Sequence, residues 1–293
     1  MKAFGNYHPA VLFVYFLSVL LVAMLVTNPV LQLCALLGGA LFCAVLTARR
    51  AWAGDVGFYL LLFVLVAVTN PLFSHNGVTP LFFLNGNPVT LEAFVCGAAI
   101  AATVIAVMLW CKSYSAIMTS DKFLYLFGRV VPRLSLVLSM ALRFIPLFKR
   151  QMHRVSAAQK AMGLYSAKGF VSRLQGAMRV FAAMIAWSFE NAMDTAASMR
   201  ARGYGLKGRT HFSLFRFRRG DGVLLLVCVL LFAVTLIGAA GGVTTFYYYP
   251  RLSEPNTLPA AIGVYVAFGA LAFLPFILEV KEALVWKYYV SRT

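Results

Sequence analysis

The chain has 293 residues, of which 61% are hydrophobic and 12% are charged, and its mean hydropathy is +0.82. Soluble domains are about 45–50% apolar and about 25% charged, so this composition excludes an ordinary soluble globular protein. The formal net charge of +17 is concentrated in residues 112–221, which hold 19 of the 26 lysines and arginines and four of the nine acidic residues. A basic segment beside a membrane suits anionic headgroups or an acidic protein partner, and nothing in it resembles a module that reads nucleic acid.

Six apolar runs are each long enough, or nearly so, to cross a membrane, and none contains Lys, Arg, Asp or Glu. In chain order they are Val11–Val26, Pro29–Thr47, Val56–Phe73, Ala93–Cys111, Val223–Ala240 and Ala260–Leu278. A helix of about 17–25 apolar residues spans the hydrocarbon and satisfies its own backbone hydrogen bonds there. The sequence therefore predicts an all-α membrane protein with about six transmembrane helices. Residues 1–111 would form the first four, 112–221 a cytoplasmic region, and 222–293 the last two with a tail.

Charge placement predicts the orientation of these spans, because Lys and Arg favour the cytoplasmic side of short loops. The second connection carries Arg49 and Arg50, and the C-terminal tail carries Lys281 and Lys287, whereas the loop Ser74–Leu91 has neither residue type. We therefore expect a multi-pass protein with both termini in the cytoplasm. We expect no cleavable signal peptide, since the first apolar run leads into a second span without a clear small-residue cleavage site.

The segment between the fourth and fifth runs is too charged to span and too periodic to be a loop. A short helix is predicted over Lys122–Val131, and a long one over Ser135–Met162, with Arg143 on a side different from its apolar residues. The apolar side is formed by Leu136, Met140, Phe144, Leu147, Val155 and Met162. Pro146 is expected to kink this helix, and Gly163 to end it.

A second long helix is predicted over Phe170–Arg202, with Gly203 ending it. Its apolar stripe is formed by Leu174, Met178, Phe181, Ile185, Ala192, Ala196 and Met199. Glu190 and Asp194 lie off this stripe, one helical turn apart, and we expect them to pair with basic residues. Two helices of about 40–50 Å each indicate a platform or lever, and a simple amphipathic membrane anchor is the alternative.

Basic and aromatic residues alternate over Lys207–Asp221, which predicts an interfacial segment at the headgroups, with a solvated loop as the alternative. Before it, the second long helix ends in Arg200, Ala201, Arg202 and Gly203. Small residues allow close approach, and an arginine presents a planar fork of donors to carboxylates or carbonyls. Cations at a helix C-terminus also complement its dipole, so these residues alone leave a docking tip and an ordinary cap both open.

Several short motifs follow one another along the chain. They are Asn70-Pro71-Leu72-Phe73 with Gly77, Thr90-Leu91-Glu92, Leu142-Arg143-Phe144-Ile145-Pro146, Ala158-Gln159, Ala201-Arg202-Gly203-Tyr204, Arg209-Thr210 and Asp221. In this order and spacing they resemble the T component, the transmembrane coupling subunit, of energy-coupling factor (ECF) transporters in the ABC superfamily. The resemblance covers residues 60–240, and the two ends agree with it in hydropathy alone.

The resemblance implies a non-catalytic subunit in a prokaryotic cell membrane. It would couple ATP hydrolysis by two partner ABC-type ATPase subunits to uptake of a vitamin or transition-metal ion through a separate substrate-binding membrane subunit. Two helix ends would sit in grooves of the ATPases. The residues that match these ends are Arg200, Ala201, Arg202 and Gly203, and, without the expected arginine, Ala161, Met162 and Gly163. The residues Arg143, Pro146, Glu190 and Asp194 would support the coupling helices.

Under this interpretation the partner subunits bind ATP, and the chain itself has no cofactor, catalytic residue or metal site. The sequence agrees, since it has no Gly-x4-Gly-Lys-Ser/Thr phosphate loop, its apolar runs have no ionisable residue that would mark an ion path, and its five cysteines and four histidines are scattered. A membrane-embedded enzyme, or an autonomous carrier with an amphipathic anchor, is the alternative. An enzyme would need an acidic or histidine cluster, which Glu190 and Asp194 alone approach.

Overall fold

A computed structural model describes residues 4–47, 49–74, 76–84, 87–128, 131–163, 169–206 and 215–290. Within these residues almost all regular structure is helical, which confirms the predicted all-α class. The helices are α1 (Pro9–Leu25), α2 (Pro29–Leu46), α3 (Arg49–Phe73), α4 (Leu91–Ile117), α5 (Ser120–Gly128), α6 (Pro132–Ala161), α7 (Phe170–Ala201), α8 (Arg219–Ala240) and α9 (Pro259–Val290). A single turn of 3-10 helix, Phe4–Asn6, precedes α1.

The chain forms two compact units. The membrane unit comprises Met1–Phe123 and Phe215–Thr293. The other unit comprises Leu124–Leu214, and we call it the coupling unit after the role that the sequence resemblance leads us to expect for it. By length and composition, five helical segments of the described residues could cross a membrane: Pro29–Leu46, Gly54–Phe73, Leu91–Ile117, Arg219–Ala240 and Pro259–Val290. The first predicted span corresponds to α1, an apolar helix of 17 residues. A membrane protein with several spans is thus confirmed, and the number six stays a prediction.

Aromatic side chains form the centre of the membrane unit. Phe4, Tyr15, Phe42 and Trp110 are fully buried and meet mostly edge to face, with the ring centroids of Phe4 and Tyr15 5.1 Å apart. The indole of Trp110 donates a hydrogen bond of 2.9 Å to the carbonyl of Ala35, and the Tyr15 hydroxyl donates one to a carbonyl of α9. Buried polar groups without water need such partners, so each large ring is fixed in position as well as packed.

Small residues let the membrane helices touch backbone to backbone. A Cβ atom on Gly97 of α4 would lie 2.5 Å from the carbonyl oxygen of Ala67 in α3. A Cβ atom on Gly38 of α2 would lie 2.9 Å from the carbonyl oxygen of Ala272 in α9. Close approach of this kind replaces the hydrophobic effect as the source of helix association in lipid.

The helices of the membrane unit extend beyond the predicted apolar runs and bring charges with them. Helix α3 begins at Arg49 and α4 continues to Ile117, so that Asp55 and Lys112 meet as an ion pair between the two helices. Helix α9 continues to Val290 and includes Glu279, which is buried. The predicted spans ended with their apolar runs, but a helix continues past the hydrocarbon as long as its backbone hydrogen bonds can form.

A two-stranded antiparallel hairpin, β1 (Pro80–Leu84) and β2 (Asn87–Thr90), lies between α3 and α4. The sequence predicted only a loop here, and this expectation was wrong. The signal for the hairpin was the dipeptide Asn85-Gly86 between apolar residues, which is typical of a tight hairpin turn. The hairpin shortens the exposed connection and leads directly into the Thr90 cap of α4, whose hydroxyl accepts a hydrogen bond from the N–H of Ala93.

The coupling unit contains most of α5, with α6 and α7, close to the predicted bounds. Helix α6 begins three residues earlier than predicted, because Pro132 occupies the first turn, where its missing N–H costs nothing. It continues through Pro146 to Ala161. The short helix α5 is described as far as Gly128, and the two residues before its predicted end at Val131 lie outside the described residues.

Candidate functional site

The two long helices of the coupling unit end with the same backbone geometry. In α6 the N–H of Met162 bonds the carbonyl of Ala158, and Gly163 has a φ of 74°. In α7 the N–H of Arg202 bonds the carbonyl of Ser198, and Gly203 has a φ of 78°. A positive φ suits glycine, and it turns the chain sharply away from the helix axis. Both predicted glycine stops are therefore confirmed, and each leaves the preceding side chain at the helix end.

At the end of α7 a further hydrogen bond closes the turn, since the N–H of Tyr204 reaches the carbonyl of Met199 at 3.0 Å. This bond spans the glycine as in a Schellman motif and holds the turn in one conformation. Arg200, Ala201 and Arg202 are all exposed there. The structure thus presents the predicted guanidinium groups on a rigid turn.

The first helix end presents the same turn with a different side chain. Met162 occupies the position equivalent to Arg202 and is 67% exposed, and Ala161 beside it is exposed as well. Lys160 provides the basic residue of the last turn. The two ends therefore share a shape, while the side chain at their apex is apolar in one and cationic in the other.

Helices α6 and α7 pack through a face centred on Trp187. Its ring stacks on Phe144 at 5.6 Å and also lies near Phe148. Met184, one turn earlier on α7, is 2% exposed. Of the predicted α6 stripe, Leu136, Met140, Phe144 and Val155 are half-buried, whereas Leu147 and Met162 are exposed.

The predicted apolar stripe of α7 lies beside this packed face. Its four large residues Leu174, Met178, Phe181 and Ile185 are 41–60% exposed. Phe189 and Met193 continue the exposed apolar surface toward the end of the helix. These six residues, the α7 stripe, are about one helical turn apart, so they form an apolar strip along most of the helix. Exposed apolar strips of this size mark sites that bind protein or membrane.

The acidic residues of α7 do not behave as predicted. Glu190 and Asp194 are exposed, and in the part of the chain that the structure describes neither lies within 4 Å of a lysine or arginine nitrogen. Water screens exposed charges, so an ion pair there gains too little Coulomb energy to offset the entropy lost when both side chains are ordered. Of the other residues expected to support the coupling helices, Arg143 is exposed on α6 and Pro146 accepts a hydrogen bond from Arg150.

Four of the motif residues that lie before the coupling unit meet beside the hairpin. Asn70 donates a hydrogen bond of 2.8 Å to the carbonyl of Ala93, and Thr90 donates one to a carbonyl beside Gly77. The Glu92 side chain is 3% exposed and accepts a 3.4 Å bond from a backbone N–H of this loop. These residues fix the connection between α3 and α4, so their part in the resemblance is structural. Arg209-Thr210 and residues 207–214 of the basic segment lie outside the described residues.

Among the described residues no group of three or more His, Cys, Asp or Glu side chains could bind a metal ion. The comparison with protein families then decides the relationship. The model of the CbiQ family, described as a cobalt transport protein, matches residues 6–212, which is more than two thirds of the chain.

The chain belongs to the CbiQ family.

Curated relatives of this CbiQ-family chain agree with the resemblance seen in its motifs, which is thereby confirmed. The energy-coupling factor transporter transmembrane protein EcfT of Listeria innocua is 38% identical over 103 residues, 34% of this chain and 39% of the relative. The protein of the same name from Limosilactobacillus fermentum is 26% identical over 211 residues, 69% of this chain and 79% of the relative. The chain thus spans about two fifths of the Listeria relative and most of the Limosilactobacillus one.

Proposed function

We propose that this chain is the non-catalytic transmembrane subunit of an ECF-type importer. It would couple ATP hydrolysis by two partner ATPase subunits to uptake of a micronutrient, a vitamin or a transition-metal ion, through a separate substrate-binding membrane subunit. Family membership supports the transport role, because the family and the relatives above are named for transport. The single observation that carries the coupling role is the pair of helix ends with matching turns at Gly163 and Gly203.

The end of α7 suits a docking contact for three physical reasons. Ala201 adds no bulk beyond a methyl group, so a partner surface can approach the backbone closely. The turn at Gly203 is fixed by hydrogen bonds, so docking orders little that was disordered before. Arg202 is exposed, and its planar fork can pair with a carboxylate or with two carbonyls of the partner.

The end of α6 would dock mainly by shape, because Met162 has no charge to pair. A methionine side chain is flexible and polarisable, and it fits an apolar groove without a geometric requirement. The α7 stripe would contact the substrate-binding membrane subunit, since an apolar strip of six residues suits a partner that is itself apolar. On this arrangement one helix relays movement from an ATPase at its end to a membrane partner along its side.

The test compares three variants at equal expression in the organism's own transporter. Arg202→Ala is expected to weaken co-purification of the ATPase about tenfold or more, because it removes a charged hydrogen-bonding group from a desolvated interface. Arg202→Lys should restore part of the loss, since an ammonium cannot reproduce the planar fork. Met162→Ala should have a milder effect because it leaves no charge unpaired. ATPase pull-down and solute uptake measure all three.

Three results would count against this proposal. If the wild-type chain, purified from its native membrane, brings no ATPase subunit with it, then the coupling role is wrong. If Arg202→Ala transports normally while Met162→Ala does not, then Arg202 only caps its helix and the dominant contact lies at the end of α6. Robust ATP hydrolysis by the pure chain would contradict its non-catalytic role.

A further inference from the structure

The chain passes twice between its two units, and both passages begin or end beside the same short segment. It leaves the membrane unit after Phe123 and returns at Phe215. Lys122, at the first passage, and Phe217, at the second, each contact residues of Phe4–His8. We name Phe4–His8 the N-terminal clasp. All the contacts described below lie within the membrane unit.

The clasp is anchored in the core of the membrane unit at its first residue. The ring of Phe4 is fully buried, with its centroid 5.1 Å from that of Tyr15 and 5.8 Å from that of Phe42. The N–H of Phe4 donates a hydrogen bond of 3.1 Å to the carboxylate of Glu279 in α9, which is 4% exposed. A charge-assisted bond in a buried place is stronger than a neutral one, so this end of the clasp moves with the membrane helices.

The first passage is bound to the clasp through a lysine. The ammonium of Lys122, near the start of α5, donates a hydrogen bond of 2.5 Å to the carbonyl of Gly5 and another to the carbonyl of Ile117 at the end of α4. It thereby joins the clasp, the last turn of α4 and the first turn of α5. Gly5 is buried, so its carbonyl is available to few partners other than this one.

The second passage is bound through an aspartate. One oxygen of Asp221 accepts the N–H of His8 at 3.1 Å, and the other accepts the N–H of Arg218 at 2.8 Å. Asp221 is 5% exposed, and it caps the first turn of α8 while it secures the clasp. The rings of His8 and Phe217 add an edge contact at 5.2 Å.

The clasp itself is too short and too constrained to absorb much movement. Its first three residues form a turn of 3-10 helix, and His8 caps α1 by accepting the N–H of Ala10 on its Nδ1 atom. Burial lowers the pKa of His8, although the nearby Asp221 carboxylate acts in the opposite direction. The lowered pKa favours the neutral ring, which is the form that can accept this bond. Pro9 then begins α1 with a fixed φ. Because these five residues are bound at both ends and have few conformations available, a displacement of one end is transmitted to the other and is not absorbed by bending of the segment.

We propose that the N-terminal clasp joins the two passages mechanically, so that loosening or moving one of them loosens or moves the other. Lys122 and Asp221 are the positioning residues of this device, one for each passage. If the chain couples as proposed above, the clasp makes both connections to the coupling unit act on the membrane helices as one.

Hydrogen–deuterium exchange of the purified full chain in lipid nanodiscs tests this directly. Asp221→Asn keeps the size and one acceptor oxygen, yet it is expected to raise amide exchange in residues 117–124 as well as in 218–222. Lys122→Met keeps the apolar stem and removes the donor, and it should raise exchange in 218–222. Coupling between two sites is reciprocal, and its usual range predicts a change of about fivefold or more at the distant passage.

The control is Lys281→Met, the same change at an exposed lysine of α9, which should leave both passages unaffected. The proposal is overturned if each variant raises exchange at its own passage alone, or if exchange rises equally in α2, which would make the clasp a general contribution to stability. Should one variant fail to fold, the other decides, because the coupling must appear in both directions. No ATPase is involved, so the result is independent of the proposed function.

Discussion

At the scale of single residues, the connection between α3 and α4 shows how one glycine permits a polar cluster. Gly77 has a φ of 141°, and a Cβ atom there would lie 2.6 Å from the Thr90 hydroxyl and 2.7 Å from a carboxylate oxygen of Glu92. Both the backbone conformation and the space therefore exclude a side chain. Thr90 and Glu92 also secure this loop by hydrogen bonds, so a change at Gly77 disturbs the loop and the start of α4 together.

Gly77→Ala is thus expected to destabilise the protein by about 1–3 kcal/mol, through a strained φ and the displacement of Thr90 and Glu92. The matched control is Gly54→Ala in α3, where a Cβ atom would meet no other atom within 4 Å and alanine favours the helix. Thermal unfolding in detergent, followed by tryptophan fluorescence, measures both variants. A Gly77→Ala protein as stable as the Gly54→Ala protein would show that the loop adapts and that the cluster is not rigid.

At the scale of elements, the sequence predicted helices better than it predicted which side of a helix is covered. The apolar runs placed α1 to α4, α8 and α9, and periodicity with a glycine stop placed α6 and α7, because length, hydropathy and a positive-φ glycine are local properties. The predicted stripe from Leu174 to Met199 was visible as a period of three to four residues and lacked Phe189 and Met193, because periodicity cannot tell a packed face from an exposed one. The sequence of α7 alone does not show whether Trp187 is packed or exposed. Its stacking on Phe144, which belongs to another helix, shows that it lies on the packed face.

The same limit explains what the sequence did not predict. The ion pair of Asp55 with Lys112 and the bond of Phe4 to Glu279 join residues that are distant in the chain. Pairing Glu190 and Asp194 with basic residues was an expectation from composition, and within the described residues neither forms an ion pair, since both lie exposed on α7. The matching turns of the two helix ends were predictable from Gly163 and Gly203. The docking proposed for them involves a partner surface, and the sequence of this chain has no information about that surface.

The packing of α6 on α7 gives a prediction that separates the two faces of α7. Trp187→Ala removes the half-buried ring that stacks on Phe144, and it should destabilise the coupling unit by about 1–2 kcal/mol, since the stacking contact and its apolar burial are lost. Phe189→Ala, two residues further on and 69% exposed, should leave stability unchanged and weaken binding of a membrane partner. Limited proteolysis of the coupling unit and co-purification of the partner measure the two effects. Equal proteolysis of both variants would show that Trp187 is not central to the packing.

At the scale of the whole molecule, charge and hydropathy divide the chain more sharply than any motif does. The coupling unit lies inside the basic stretch 112–221, whereas the membrane unit contains all six of the long apolar runs. Each unit has its own packed centre, one around Trp110 and the other around Trp187. A chain built this way has to place the basic unit on one side of the membrane, because translocating it would work against the preference of lysine and arginine for the cytoplasm.

This division predicts an orientation that single-cysteine labelling can check. In a background with the five native cysteines replaced by alanine, Val78→Cys in the uncharged loop before the hairpin should react with a membrane-impermeant maleimide added outside intact cells. Ser198→Cys, exposed near the end of α7, should react only after the cells are opened, because lysine and arginine favour the cytoplasm and the coupling unit is therefore expected there. Both positions are exposed, so access and not burial decides the outcome. Labelling of Ser198→Cys from outside, with Val78→Cys protected, would reverse the orientation and place the helix ends where no ATPase could reach them.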